Sequence, residues 1–94
     1  MADMTLNEDS IPYWPSGVRF RHDETRDRWI IVAPERILVP RGPGADIARL
    51  IDGNRSIGDI ADHLAREYDA DVETITDESI DFLQQLADQG YLDT

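Results

Sequence analysis

Ninety-four residues, 40% hydrophobic and 31% charged, describe one soluble domain with a single modest core. The chain contains no cysteine, and all nine of its basic residues are arginine. This excludes disulfides, zinc knuckles, iron–sulfur clusters, thiol nucleophiles and Schiff-base or P-loop lysines. The net charge of −11 is uneven: residues 17–55 hold eight Arg against six acids, whereas residues 56–94 hold Arg66 against eleven. The longest apolar run, Trp29 to Pro34, is too short to cross a bilayer. Residues 1–16 lack the basic residues of a secretory signal, so a cytoplasmic location is expected.

Residues 1–10 have no periodicity and are expected to form a flexible tail, leaving 11–94 as one domain. Ile11-Pro12-Tyr13-Trp14-Pro15 is extended because of its two prolines. It reads either as a strap anchored on the core by Trp14 or as an exposed aromatic patch. Val18 to Arg21 alternates apolar with basic residues, the pattern of a half-buried strand. A polar connection from His22 to Asp27 leads to a second strand over 28–33, apolar on both faces and suited to the middle of a meander. A third strand follows over 35–39, ended by Pro40, which cannot donate a ladder hydrogen bond.

Beyond the breaker cluster Arg41-Gly42-Pro43-Gly44, only helices are expected, over about 44–51, 57–68 and 72–89. Ser56 with Asp59 resembles a capping box. It opens a helix on which Ile57, Ile60, Ala61, Leu64, Ala65 and Tyr68 trace one face. On the last helix Ile75, Phe82, Leu83 and Leu86 face inward, and Tyr91 and Leu92 fold back or fray. The fold class is α+β: a three-stranded antiparallel β-meander followed by a three-helix bundle, winged-helix-like.

That outline invites a DNA-binding reading. However, the last helix carries Glu73, Asp77, Glu78, Asp81 and Asp88 without one cation, and phosphate neutralisation supplies most nonspecific affinity. No nucleic-acid partner is expected. His63 with Asp59 and Glu67 shares a helix face at metal-ligand spacing, but such a face is ordinarily solvated, and no metal or cofactor is expected. No nucleophile–base arrangement or glycine-rich nucleotide loop is recognisable, and catalysis is not expected. What remains is the third strand, which has no later strand to pair with. An open edge accepts peptides by strand addition. Ile80, beside Gln84 and Leu83 on the last helix, together with Ile37 and Leu38 on the strand, is expected to make an apolar groove along that edge.

Gly17-Val18-Arg19-Phe20-Arg21, then Trp29 and Ala33-Pro34-Glu35-Arg36-Ile37-Leu38, resemble the signature of the PqqD family of pyrroloquinoline quinone (PQQ) biosynthesis. Asp52-Gly53, the helix from Ser56 to Tyr68 and the closing Phe82-Leu83, Leu86 and Gly90-Tyr91-Leu92 extend the similarity over about residues 11–92. Arg41-Gly42-Pro43-Gly44 departs from the polar, helix-capping loop of that family. The resemblance implies a non-catalytic peptide chaperone. Such a protein binds the precursor peptide PqqA beside the third strand and presents it to the radical S-adenosylmethionine enzyme PqqE, which joins a Glu and a Tyr of that peptide. Carried over by position, it implicates Glu35, Arg36, Ile37, Leu38, Val39, Ile80, Leu83 and Gln84. A monomer is expected; the alternative is a self-associating scaffold that dimerises through the same strand edge.

Overall fold

The computed structural model describes residues 5–94; the first four residues of the expected tail lie outside the described residues. Three strands, β1 (Arg19–Asp23), β2 (Arg28–Ala33) and β3 (Arg36–Leu38), form an antiparallel sheet in the order β1-β2-β3. Three helices follow: α1 (Gly44–Ala48), α2 (Ile57–Tyr68) and α3 (Val72–Asp88). The fold is the α+β meander and helical bundle that the sequence pattern predicts.

β1 starts one residue later than expected and runs two residues further, through His22 and Asp23, which pair with Trp29 and Arg28. The connection is thereby only Glu24 to Asp27, closed by Asp27 in the left-handed region (φ 49°), where Asp is tolerated better than most residues. The middle of β2 is buried on both sides of its plane, Ile30 being 3% and Ile31 0% exposed, whereas Trp29 at its start is 47% exposed. β3 is shorter than the expected 35–39 and covers only the Ile31–Ala33 half of β2. α1 ends three residues early, because Leu50 and Ile51 donate to Ile47 and Ala48, three residues back, and so tighten the last turn.

α2 carries the capping box read from the sequence: the Asp59 amide donates to Ser56 Oγ (3.0 Å), and the Ser56 amide donates to Asp59 Oδ2 (3.1 Å). Asp71 caps α3 without the reciprocal bond, accepting from the Thr74 amide at 3.2 Å. Ile57, Ile60, Leu64, Leu83 and Leu86 pack with Ile31 and Ala33 into one core under the sheet.

Residues 5–10 differ from the loose tail expected of them. Leu6 is buried in the core, and its amide donates to Gln84 Oε1 (2.9 Å). The first amides of α2 need acceptors outside the helix. They find them here, Ile57 donating to Ser10 O (2.9 Å) and Gly58 to Glu8 O (2.8 Å). Trp14 stacks on Phe20 (6.3 Å) and Phe20 on Trp29 (5.1 Å), the strap arrangement. Tyr13 pairs with Asp93, so the end of the chain folds back and Tyr91 and Leu92 are buried. The N-terminal segment therefore pairs with the C-terminus, and among the described residues no strand lies along the outer edge of β3.

Ser79 on α3 is fully buried, and its hydroxyl has no hydrogen-bond partner among the described residues. Leaving such a group unpaired costs about 1–3 kcal/mol, and Ala is also the better helix former. Ser79→Ala is expected to raise unfolding stability by about 1 kcal/mol, read as a higher midpoint in urea at unchanged slope.

Candidate functional site

β2 and β3 are joined by Pro34-Glu35, and Ala33 pairs with Arg36 across that two-residue turn. The residues flanking such a turn form the hydrogen-bonded pair, so the next pair, Val32 and Ile37, is the non-bonded one. The N–H and C=O of Ile37 consequently point away from β2, into the open edge. Side chains alternate across the sheet. Arg36 and Leu38 turn towards the helices, and Ile37 stands on the outer face, 60% exposed.

Arg36 is spent on a clip between sheet and bundle. Its guanidinium donates to the carbonyl of Gln89 at the end of α3, and its Cζ lies 4.4 Å from the centre of the Tyr91 ring. Unpaired carbonyls and the negative end of the helix dipole make this a favourable place for a cation, and the ring adds a cation–π contact. A side chain at Gly90 would approach the guanidinium to 3.3 Å, and the positive φ of 84° there also favours glycine. The clip fixes how far β3 stands from α3.

Between them lies a cleft of about 310 Å³, lined on the strand side by Leu38, Val39, Pro40 and Arg41 and on the helix side by Phe82, Gln85, Leu86 and Gln89. Two of the residues expected in the groove, Leu38 and Val39, are there. Ile37 offers its backbone to the edge but not its side chain, because of the alternation. Glu35 sits in the turn. Leu83 is fully buried in the core. Ile80 and Gln84 stand roughly 160° around the helix axis from Phe82 at 3.6 residues per turn. There Ile80 packs on the core, and Gln84 holds the Leu6 amide and donates to Asp88. The helical wall is therefore Phe82-Gln85-Leu86-Gln89, a mixed stripe whose half-buried Phe82 reads from sequence as interior.

Gly44 explains why the segment before α1 lacks the expected capping loop. A Cβ on Gly44 would come within 2.8 Å of Phe82 Cε1 and 3.1 Å of Pro40 Cβ, so glycine leaves room for the Phe82 ring against the start of α1. α1 accordingly begins after Pro43 with no side-chain cap. The Phe82 ring can swing where backbone cannot. Gly44→Ala is therefore expected to lower stability by only about 1–2 kcal/mol while pushing the ring into the cleft. An altered Phe82 ring environment by NMR, with a melting point only a few degrees lower, is the result to look for.

Two other clefts, along α2, are lined mainly by charged residues. One of about 540 Å³ between the starts of α2 and α3 is lined by Asp59, Asp62, Glu73 and Asp77 among others. His63 lies 3.6 Å from Glu67, whose carboxylate is already held by Arg49 at 2.6 Å. That contact is the largest of the influences raising the Arg49 pKa. Among the described residues, no group of three or more His, Cys, Asp or Glu is arranged to hold a metal. No helix there is long and apolar enough to cross a membrane.

Residues 28–92 match the family model described as Coenzyme PQQ synthesis protein D (PqqD). Proteins named PqqA binding protein are similar over nearly the whole chain. That of Bradyrhizobium diazoefficiens is 42% identical over 95% of this chain and 86% of its own length. That of Gluconobacter oxydans is 38% identical over 99% and 97%. Among solved structures, the solution structure of the PqqD part of Methylobacterium extorquens PqqCD, described as a functional, stand-alone RiPP recognition element, superposes with a TM-score of 0.82 at 31% identity, covering 95% of both chains. PqqD from Xanthomonas campestris, 36% identical, superposes less closely, with a TM-score of 0.62 over 96% of this chain and all of that one.

Proposed function

The chain belongs to the PqqD family of coenzyme PQQ synthesis proteins, and we propose that it is a non-catalytic carrier of the precursor peptide PqqA. The peptide adds as a strand on the outer edge of β3, with side chains in the cleft against α3, and is presented in that form to the radical S-adenosylmethionine enzyme PqqE. The observation that carries this reading is the edge at Ile37, which no described strand covers, beside a cleft whose lining includes Leu38, Val39, Phe82 and Leu86.

Magnitudes show why both parts are needed. Backbone hydrogen bonds contribute roughly 0.5–1.5 kcal/mol each, and only a few fit along a strand this short. Micromolar affinity takes about 8 kcal/mol net of ordering costs. Each apolar side chain buried in the cleft adds roughly 1.5–3 kcal/mol, so several groove-facing residues of the peptide must supply most of the affinity. Lacking Cys and Lys, the chain leaves the cross-linking chemistry to its enzyme partner.

The test is an amide-shift titration of the labelled chain with PqqA. Shifts centred on residues 36–41 and 82–89 are expected, and shifts that avoid both stretches would overturn the site. The rival occupant of the edge is a second copy of the chain. Sedimentation separates the two, because a carrier forms a one-to-one complex with peptide.

A further inference from the structure

The cleft does not stop at Phe82. On the far side of the ring a second cavity of about 350 Å³ opens between α1 and α3. Its apolar part is formed by Pro43, Ile47 and the Phe82 ring, and its α3 side carries Glu78 and Asp81. Glu78, Asp81, Phe82 and Gln85 follow one another at i, i+3, i+4 and i+7, so one stripe of α3 serves both cavities. Arg41, Phe82 and Gln85 line both.

We propose that this second cavity receives a lysine or arginine side chain of the bound peptide, an assignment that rests on the peptide-carrier reading above. A long basic side chain has an apolar stem and a charged tip. The stem matches Ile47 and the Phe82 ring, and the tip matches the two carboxylates. Among the described residues, neither Glu78 nor Asp81 makes an ion pair or side-chain hydrogen bond, and Arg41 is not within ion-pairing distance of either. An acidic peptide side chain would meet two like charges there, and an aliphatic one would leave both carboxylates facing it. Alternate residues of a strand project to the same side about 6.5–7 Å apart. Successive groove-facing side chains of one peptide can therefore straddle Phe82, an apolar one by Leu38 and Leu86 and a basic one by Glu78 and Asp81.

The experiment is a double-mutant cycle by calorimetry at low salt. The native chain and its E78Q/D81N variant are each titrated with PqqA and with a PqqA copy in which every Lys and Arg is Gln. Both carboxylates are exposed, so the variant should fold, which a thermal melt verifies. Either change alone is expected to weaken binding roughly tenfold, and the two together no more than one alone, the mark of a direct charge pair. Equal affinity in all four titrations would overturn the proposal. So would losses that simply multiply, which mean a diffuse field, or a PqqA without any basic residue. If the native chain shows no PqqA binding, the carrier reading itself falls. If binding persists at β3 without this coupling, only the pocket assignment does.

Discussion

Leu38→Asp is expected to lower affinity for PqqA by roughly 30-fold or more, the scale of losing an interface anchor, while Ile37→Asp one residue away changes it little. Leu38 turns towards α3, lines the cleft and packs partly against the core. A carboxylate there faces the Phe82–Leu86 wall and must be desolvated when a peptide covers it. The substitution also costs some stability, but Leu38 is only half buried, so a folded chain is expected. Ile37 lends the edge its backbone and holds its side chain on the opposite face, 60% exposed. The pair of variants, compared by calorimetry, therefore separates strand addition with alternating side chains from a general dependence on apolar residues near the edge. Equal loss from both would contradict it.

Ile60→Ala is expected to be the most damaging single change to the fold, lowering stability by about 2–5 kcal/mol through lost transfer energy plus a cavity. Ile60 is fully buried near the start of α2, within the cluster that joins Leu64, Leu83 and Ile31. In a domain of this size that corresponds to a melting point lower by roughly 10–25 °C. Ile37→Ala, which leaves the core untouched, is expected to stay within about 0.5 kcal/mol. Calorimetric melts of the two variants check both values.

The elements were legible because their signals are local. The capping box at Ser56 and Asp59, the stripe that starts at Ile57 and the alternation around Phe20 each depend on neighbours within a few residues, and the structure keeps them except at the end of the stripe, where Tyr68 is 54% exposed. The wall of the cleft was harder to read. A periodic stripe tells which side of α3 is buried but not which border of that side turns towards β3. That depends on the course of residues 39–43 and on the Arg36 clip, both set by contacts distant in sequence. Ile80 and Gln84 consequently fall on the border facing Leu6, and Phe82 with Gln85 and Gln89 on the border facing the strand. The packing of residues 5–10 had no periodic signal, since it rests on Leu6 alone and on carbonyls that accept from the first turn of α2. Gly44 looked like part of a chain breaker; its purpose shows only when Phe82 is placed beside it.

Strand addition is tested most directly by hydrogen exchange at the Ile37 amide. In the free chain that amide points into an edge that no described strand covers, and it should exchange fast despite lying in a strand. With PqqA bound it should become strongly protected, and the amide of Val32, its cross-strand neighbour on β2 already paired with β1, should change far less. Saturating peptide that leaves Ile37 exchanging at its free rate would mean that PqqA binds elsewhere on the molecule.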